Sequence, residues 1–135
     1  MSRIAFIAGA LALSIGGGGF ALAQSGTLSA LAQIERGEWT LRASDGSTRA
    51  ICVTDPRVLL QLRDRSSGCT NFVVENGPNG GRISFSCPGG KTDTRLTVET
   101  PRLVRIETQG ISRGLPFTEE YEGRRTGACK AATAR

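Results

Sequence analysis

The sequence predicts a mainly β (α+β) domain, a bent antiparallel meander or half-open barrel of about seven short strands with one or two short helices and two disulfides. Three observations predict it. After residue 36, short segments that alternate apolar and polar residues recur between turns rich in Gly, Pro, Asn and Ser, the pattern of half-buried strands in an antiparallel sheet. The cysteines form an even set, Cys52, Cys69, Cys87 and Cys129. The N-terminus carries an export pattern, which places those cysteines in an oxidising compartment where they pair.

The export pattern begins with Arg3, continues through the uncharged apolar run Ile4 to Leu13, and ends in small residues with Ala21-Leu22-Ala23 before Gln24. This fits cleavage between Ala23 and Gln24, so residues 1–23 read as a signal peptide and 24–135 as one disulfide-stapled β-rich domain exported to the periplasm. A membrane anchor competes with this reading. A spanning helix needs about 20 apolar residues, and Gly16 to Gly19 interrupt the run. No membrane span is expected after cleavage, and no Cys near the cleavage point offers a lipid attachment. Removing 23 of the 135 residues leaves 112, one domain's length of chain, small enough to benefit from covalent staples.

The elements follow in order. Leu28, Leu31, Ala32 and Ile34 fall at near-helical spacing, with Thr27 or Ser29 as cap and Gly37 as stop. Trp39 and Leu41 alternate with Glu38, Thr40 and Arg42 as a first strand. Ser44 to Ser47 turns the chain, and Thr48 to Val53 returns, so residues 38–53 read as a hairpin. Residues 54–65 give the clearest helix: Thr54 or Asp55 caps it, Pro56 suits its first position, Val58, Leu59 and Leu62 make a stripe, and Ser66-Ser67-Gly68 ends it. Thr70 to Glu75, Arg82 to Cys87, Thr94 to Glu99, Leu103 to Thr108 and Phe117 to Arg125 are the remaining strands. Turns at Asn76–Gly81 and Pro88–Gly90 and a break or an edge at Pro101 separate them, with a loop over Gln109–Pro116. Ile83, Phe85 and Cys87 share one face.

Four cysteines allow three pairings. Cys69 opens the strand before the Asn76–Gly81 turn and Cys87 closes the strand after it, which favours Cys69–Cys87 and leaves Cys52–Cys129. Opposing Phe72 to Phe85 and Val74 to Ile83 shifts the ladder by one residue from directly opposed cysteines. A one-residue bulge reconciles the two. The rival Cys52–Cys69 would bracket the 54–65 helix and is also geometrically reasonable.

The chemistry present is sparse. With no His, neither a Ser-His-Asp nor a Cys-His site can be built. The cysteine spacings match no zinc site. Ser-Lys chemistry would need Lys91, beside a Gly-rich turn, or Lys130, in the tail. The acidic run Glu119, Glu120 and Glu122 is the surviving catalytic option. Glu120 and Glu122 share one strand face and Glu119 and Tyr121 the other, so a solvated face opposite Arg124 or Arg125 accounts for them more simply. The glycines at 80–81 and 89–90 lie between strands and do not fit a phosphate loop. The balance of 17 basic and 12 acidic residues is mildly basic, a solubility feature that slightly favours anionic partners. Adjacent Arg124 and Arg125 point to opposite faces, and no basic-aromatic interleaving suggests nucleic-acid binding. No catalytic, cofactor-binding or metal residue is therefore assigned.

Four patterns occur in order: Gly37-Glu38-Trp39; Cys52-Val53-Thr54 leading into the helix; Cys69 and Cys87 flanking a hairpin; and Arg124-Arg125-Thr126-Gly127-Ala128-Cys129. Together they resemble domain-of-unknown-function family 3617, small exported proteobacterial proteins, over about Leu28 to Cys129. The resemblance implies a periplasmic or envelope location and carries no activity with it. The expected function is a non-enzymatic binding or envelope-interaction module for an unknown envelope ligand or protein. The alternative is an inhibitor of an envelope hydrolase, and a weak carboxylate-based hydrolase stands third. A contiguous apolar groove would favour the ligand binder, and a protruding rigid loop the inhibitor.

Overall fold

Period-two alternation commits most of the chain to strands with one apolar face, and that face must be covered. The structure, a computed structural model, describes residues 26–63 and 68–130. The expected signal segment 1–23, the expected cleavage point between Ala23 and Gln24 and the expected helix stop at Ser66-Ser67 lie outside the described residues.

Seven strands form one antiparallel sheet in the order β2-β1-β7-β6-β5-β4-β3. They are β1 (Gly37–Ala43), β2 (Thr48–Val53), β3 (Thr70–Gly77), β4 (Gly80–Cys87), β5 (Gly90–Thr100), β6 (Leu103–Ser112) and β7 (Leu115–Gly127). The sheet is open, with β2 and β3 as its edges. β3 to β7 are a meander of tight hairpins, and the β1–β2 hairpin is added to its far side by pairing β1 with β7. The connection from β2 to β3 therefore runs from one edge of the sheet to the other.

That connection and the segment before β1 cover the apolar face. Trp39, Leu41, Val53, Ile83, Leu96, Val104 and Ile106 project from the strands, and Leu28, Leu31, Ile34, Leu59, Leu60 and Leu62 close over them; all are buried. Trp39 is fully buried, and its indole Nε1 donates to the Glu35 carbonyl at 3.0 Å, so its one polar atom is paired. Gly37 is required beside it. Its φ is +145°, and a Cβ there would lie 2.3 Å from the Gly127 carbonyl oxygen. The crossover is tied down by a buried polar pair: Thr94 Oγ1 lies 3.0 Å from the Leu60 carbonyl, to which it donates, and 3.1 Å from Thr108 Oγ1.

Both expected helices are single 3₁₀ turns, Ser29–Gln33 and Pro56–Leu60. In the second, Asp55 is the cap, and its Oδ1 accepts from the Arg57 amide at 3.0 Å. The expected continuation past residue 60 fails because Leu59, Leu60 and Leu62 all drop onto the sheet, which a one-sided helical stripe cannot do. At the first turn neither Thr27 nor Ser29 caps. The cap is Leu28, without a side-chain bond, and the Ser29 amide donates to Asn76 Oδ1 at 2.9 Å.

Both disulfides pair as expected, Cys69–Cys87 and Cys52–Cys129. The bulge is also present, between Val73 and Glu75, but it lies close to the turn, so the ladder between it and the cysteines is not the expected one. Asn71 opposes Phe85 and Val73 opposes Ile83, so Phe72 and Val74 leave the apolar face and are exposed. Asn71 and Asn76 decide this: their Oδ1 atoms accept from the Gly26 and Ser29 amides on the covered side. The expected loop at 109–116 is shorter, because β6 runs to Ser112 and β7 starts at Leu115.

Candidate functional site

The face of the sheet that the described residues leave uncovered divides into two parts. Toward the β5–β6 turn it carries crossed charges. Glu122 lies between Arg42 on β1 and Arg105 on β6, Arg124 Nε donates to Glu122 at 2.9 Å, Arg105 to Glu99 at 2.9 Å, and Arg95 to Glu75 at 2.8 Å. The last pairing holds the Glu75 carboxyl below its usual range and raises the Arg95 guanidinium, through the hydrogen bond first and charge second. These exposed pairs define a hydrophilic surface more than they stabilise it.

Toward the other end, a groove of about 560 Å³ opens across β3 to β7. The register builds it. One row is Phe72, Ser84, Asp93, Gln109 and Thr118, and the next outward-pointing row is Ser86, Lys91 and Ile111. Phe72 stands at one side, 46% exposed, and Ile111 at the other, 52% exposed. Between them lie Ser84, Ser86, Lys91, Asp93 and Gln109. Gly110 is in the floor, and a Cβ there would lie 2.0 Å from the Lys91 carbonyl oxygen, so only glycine lets β5 and β6 approach this closely.

The polar groups in the groove are unequal. Asp93 accepts from Ser84 Oγ at 2.7 Å and has Arg82 Nε at 3.8 Å. Lys91 is exposed and makes no ion pair among the described residues. A second cavity, of about 420 Å³, lies beside β1, β2 and β7, but its functional groups are engaged with each other. Arg49 sits over the Tyr121 ring at 5.7 Å and Arg63 over the Phe117 ring at 4.4 Å. Tyr121 donates to Glu119 at 2.9 Å, and Glu119 pairs with Arg63. Burial, then the bond to Glu119, pushes the Tyr121 phenol up. This network fastens the crossover to β7.

The expected carboxylates are therefore separated. Glu119 lies with Arg63 and Tyr121 on the covered side, whereas Glu122 pairs with Arg124 on the other face and Glu120 opposes Glu107. Arg125 turns to the covered side, where its Nε donates to the Arg36 carbonyl at 2.7 Å. Lys130 follows Cys129, exposed. Among the described residues no group of three or more His, Cys, Asp or Glu could hold a metal ion, and no helix is long and apolar enough to cross a membrane. Sequence reasoning missed Phe72, Ile111 and Gln109 as neighbours, because it faced Phe72 inward and read 109–116 as a loop. The alternation of Gln109 and Ile111 with Thr108 and Gly110 was the available signal.

Comparison of the chain with family models, with curated proteins and with solved structures finds no match in any of the three.

Proposed function

We propose that this chain is an exported, non-enzymatic binding module of the periplasm that holds a small, partly apolar ligand in the groove between Phe72 and Ile111. The observation that carries the reading is the groove itself: a concavity of about 560 Å³, within the usual range of ligand sites, on a sheet face that is otherwise covered with crossed charges. The connections between β3 and β7 are two-residue turns, so no long rigid loop protrudes there as an inhibitor would need. The dispersed carboxylates on β7 also favour binding over catalysis. Export is supported by the N-terminal pattern and by two disulfides. Its mature N-terminus is expected at Gln24, which intact-mass measurement of the exported protein checks; a species that retains Arg3 counts against it.

The groove is tested with N-phenyl-1-naphthylamine, a neutral apolar dye. The oxidised protein is expected to bind it with enhanced fluorescence, and Phe72→Asp to bind at least about tenfold more weakly, since a buried aromatic contact is replaced by a charge. Equal binding by the two proteins defeats the reading. In a broad hydrolase screen, turnover abolished by Glu120→Gln or Glu122→Gln would defeat the non-enzymatic part.

A further inference from the structure

We infer that the groove's ligand is a single-chain amphiphile with an anionic head group, its head held at Lys91 and its chain laid over Phe72 and Ile111. This rests on the groove being the binding site and adds the chemistry of its occupant.

The charge distribution makes the argument. The stretches of β3, β4 and β5 at this end, residues 70–74 and 84–92, contain no Asp or Glu, and neither do residues 108–118 of β6, its turn and β7. They contain two cations, Lys91 and Arg113, the latter at the β6–β7 turn. On the other part of this face Glu122 lies between Arg42 and Arg105 and pairs with Arg124, and Arg95 pairs with Glu75, while Glu107 and Glu120 oppose each other across β6 and β7. Here the single carboxylate in the groove, Asp93, is already served by Ser84 and Arg82. Lys91, two residues from Asp93 on the same strand face, makes no ion pair among the described residues and stands in the outermost row, where a head group reaches it without leaving water. The apolar side chains begin within one row of it.

That order, cation at the rim and apolar side chains at both walls, matches a molecule with one anionic end and an apolar body. A neutral apolar ligand leaves Lys91 idle. A cationic amphiphile meets Lys91 and Arg113 with like charge. A membrane surface would press on convex apolar groups. The most exposed of these, Leu115 at 71%, stands outside the groove, whereas Phe72 and Ile111 flank a concavity. Phe72 on β3 and Ile111 on β6 stand three strand spacings apart, about 14 Å, the reach of one medium-length alkyl chain.

The experiment uses the oxidised protein and measures displacement of the bound neutral dye by dodecanoate, dodecanol and dodecyltrimethylammonium, each below its micelle concentration. Dodecanoate is expected to displace the dye at about a threefold lower concentration than dodecanol, the worth of one solvent-exposed ion pair. The cationic amphiphile is expected to be weakest. Lys91→Glu, an exposed substitution checked for folding by circular dichroism, should abolish the preference for dodecanoate and leave dodecanol unchanged. Arg105→Gln, on the charged part of the same face outside the groove, should retain it. Equal displacement by the anionic and neutral amphiphiles, or a preference that survives Lys91→Glu, overturns the inference while the dye still reports a groove. Failure of the dye to bind at all overturns the groove reading first. Co-sedimentation with phosphatidylglycerol vesicles, without dodecanoate binding, overturns the single-molecule occupant in favour of a membrane surface.

Discussion

At the β2 edge of the sheet the disulfide Cys52–Cys129 joins strands that are not neighbours. Glu38 of β1 lies between Cys52 and Gly127 in the ladder, and the chain passes beyond β7 to reach Cys52. At the β3 edge, Cys69–Cys87 joins two strands already hydrogen-bonded along the β3–β4 hairpin. One bond holds a topology together and the other reinforces a local pairing. The comparison shows why the groove lies where it does. The β2 edge is committed to closing the fold, whereas the β3 edge is secured locally, which leaves its outward side chains, Phe72 foremost, free of structural duty.

Removing the staples separately is the strongest way to break this comparison. Cys52→Ala with Cys129→Ala releases a separation of 77 residues and Cys69→Ala with Cys87→Ala one of 18. Chain entropy then gives losses of roughly 4.5 and 3 kcal/mol, upper values that denaturant midpoints would read. Equal losses would mean that the two edges are not held differently. The second variant should nonetheless weaken dye binding more than the first, because it loosens the strand that carries Phe72. Thr94→Val probes the crossover that joins the edges. It leaves the Leu60 carbonyl buried without its partner and is expected to cost about 1–2 kcal/mol in equilibrium unfolding, with dye binding unchanged.

The smallest effect concerns the cap of that crossover. The side-chain hydrogen bond from Arg57, with the Arg57 amide, lowers the Asp55 carboxyl to about 2. A carboxylate whose pKa is lower in the folded state stabilises the fold above its unfolded pKa and loses that contribution as pH falls through the folded value. The stability difference between the native protein and Asp55→Asn should therefore be full at neutral pH and disappear between about pH 4 and pH 2, as acid titration of unfolding would show. A difference independent of pH would remove the carboxylate from the account.

The strands were legible in the sequence because a half-buried strand must alternate, and Trp39, Ile83, Phe85, Leu96 and Val98 do so without interruption. The cysteine pairing was legible because turn residues place Cys69 and Cys87 at one end of a hairpin. The helix at 54–65 was misread for a physical reason: Val58, Leu59 and Leu62 fit a helical stripe, but so does a tight turn that lowers Leu59, Leu60 and Leu62 onto a sheet. The groove was hidden by a parity. One bulged residue at Val74 transfers Phe72 from the expected covered face to the open one, and this parity is held by the directly opposed Cys69 and Cys87 and by Asn71 and Asn76, bonded to a segment some 45 residues earlier. Gly110 misled in the same way, since it serves close strand approach and not a turn.

The nesting of the two disulfides governs how the chain matures. Made from its N-terminus, the protein presents Cys52, then Cys69, then Cys87, then Cys129. The first two thiols to coexist are partners in neither native bond, and they flank the one segment that must travel across the whole sheet. An oxidant faster than strand docking joins them and leaves a bond that only thiol–disulfide exchange can correct. An oxidant slower than docking finds Cys69 and Cys87 side by side first. Cys52 then waits for the last residues of the fold, so closure of the outer bond marks the moment at which β7 has docked.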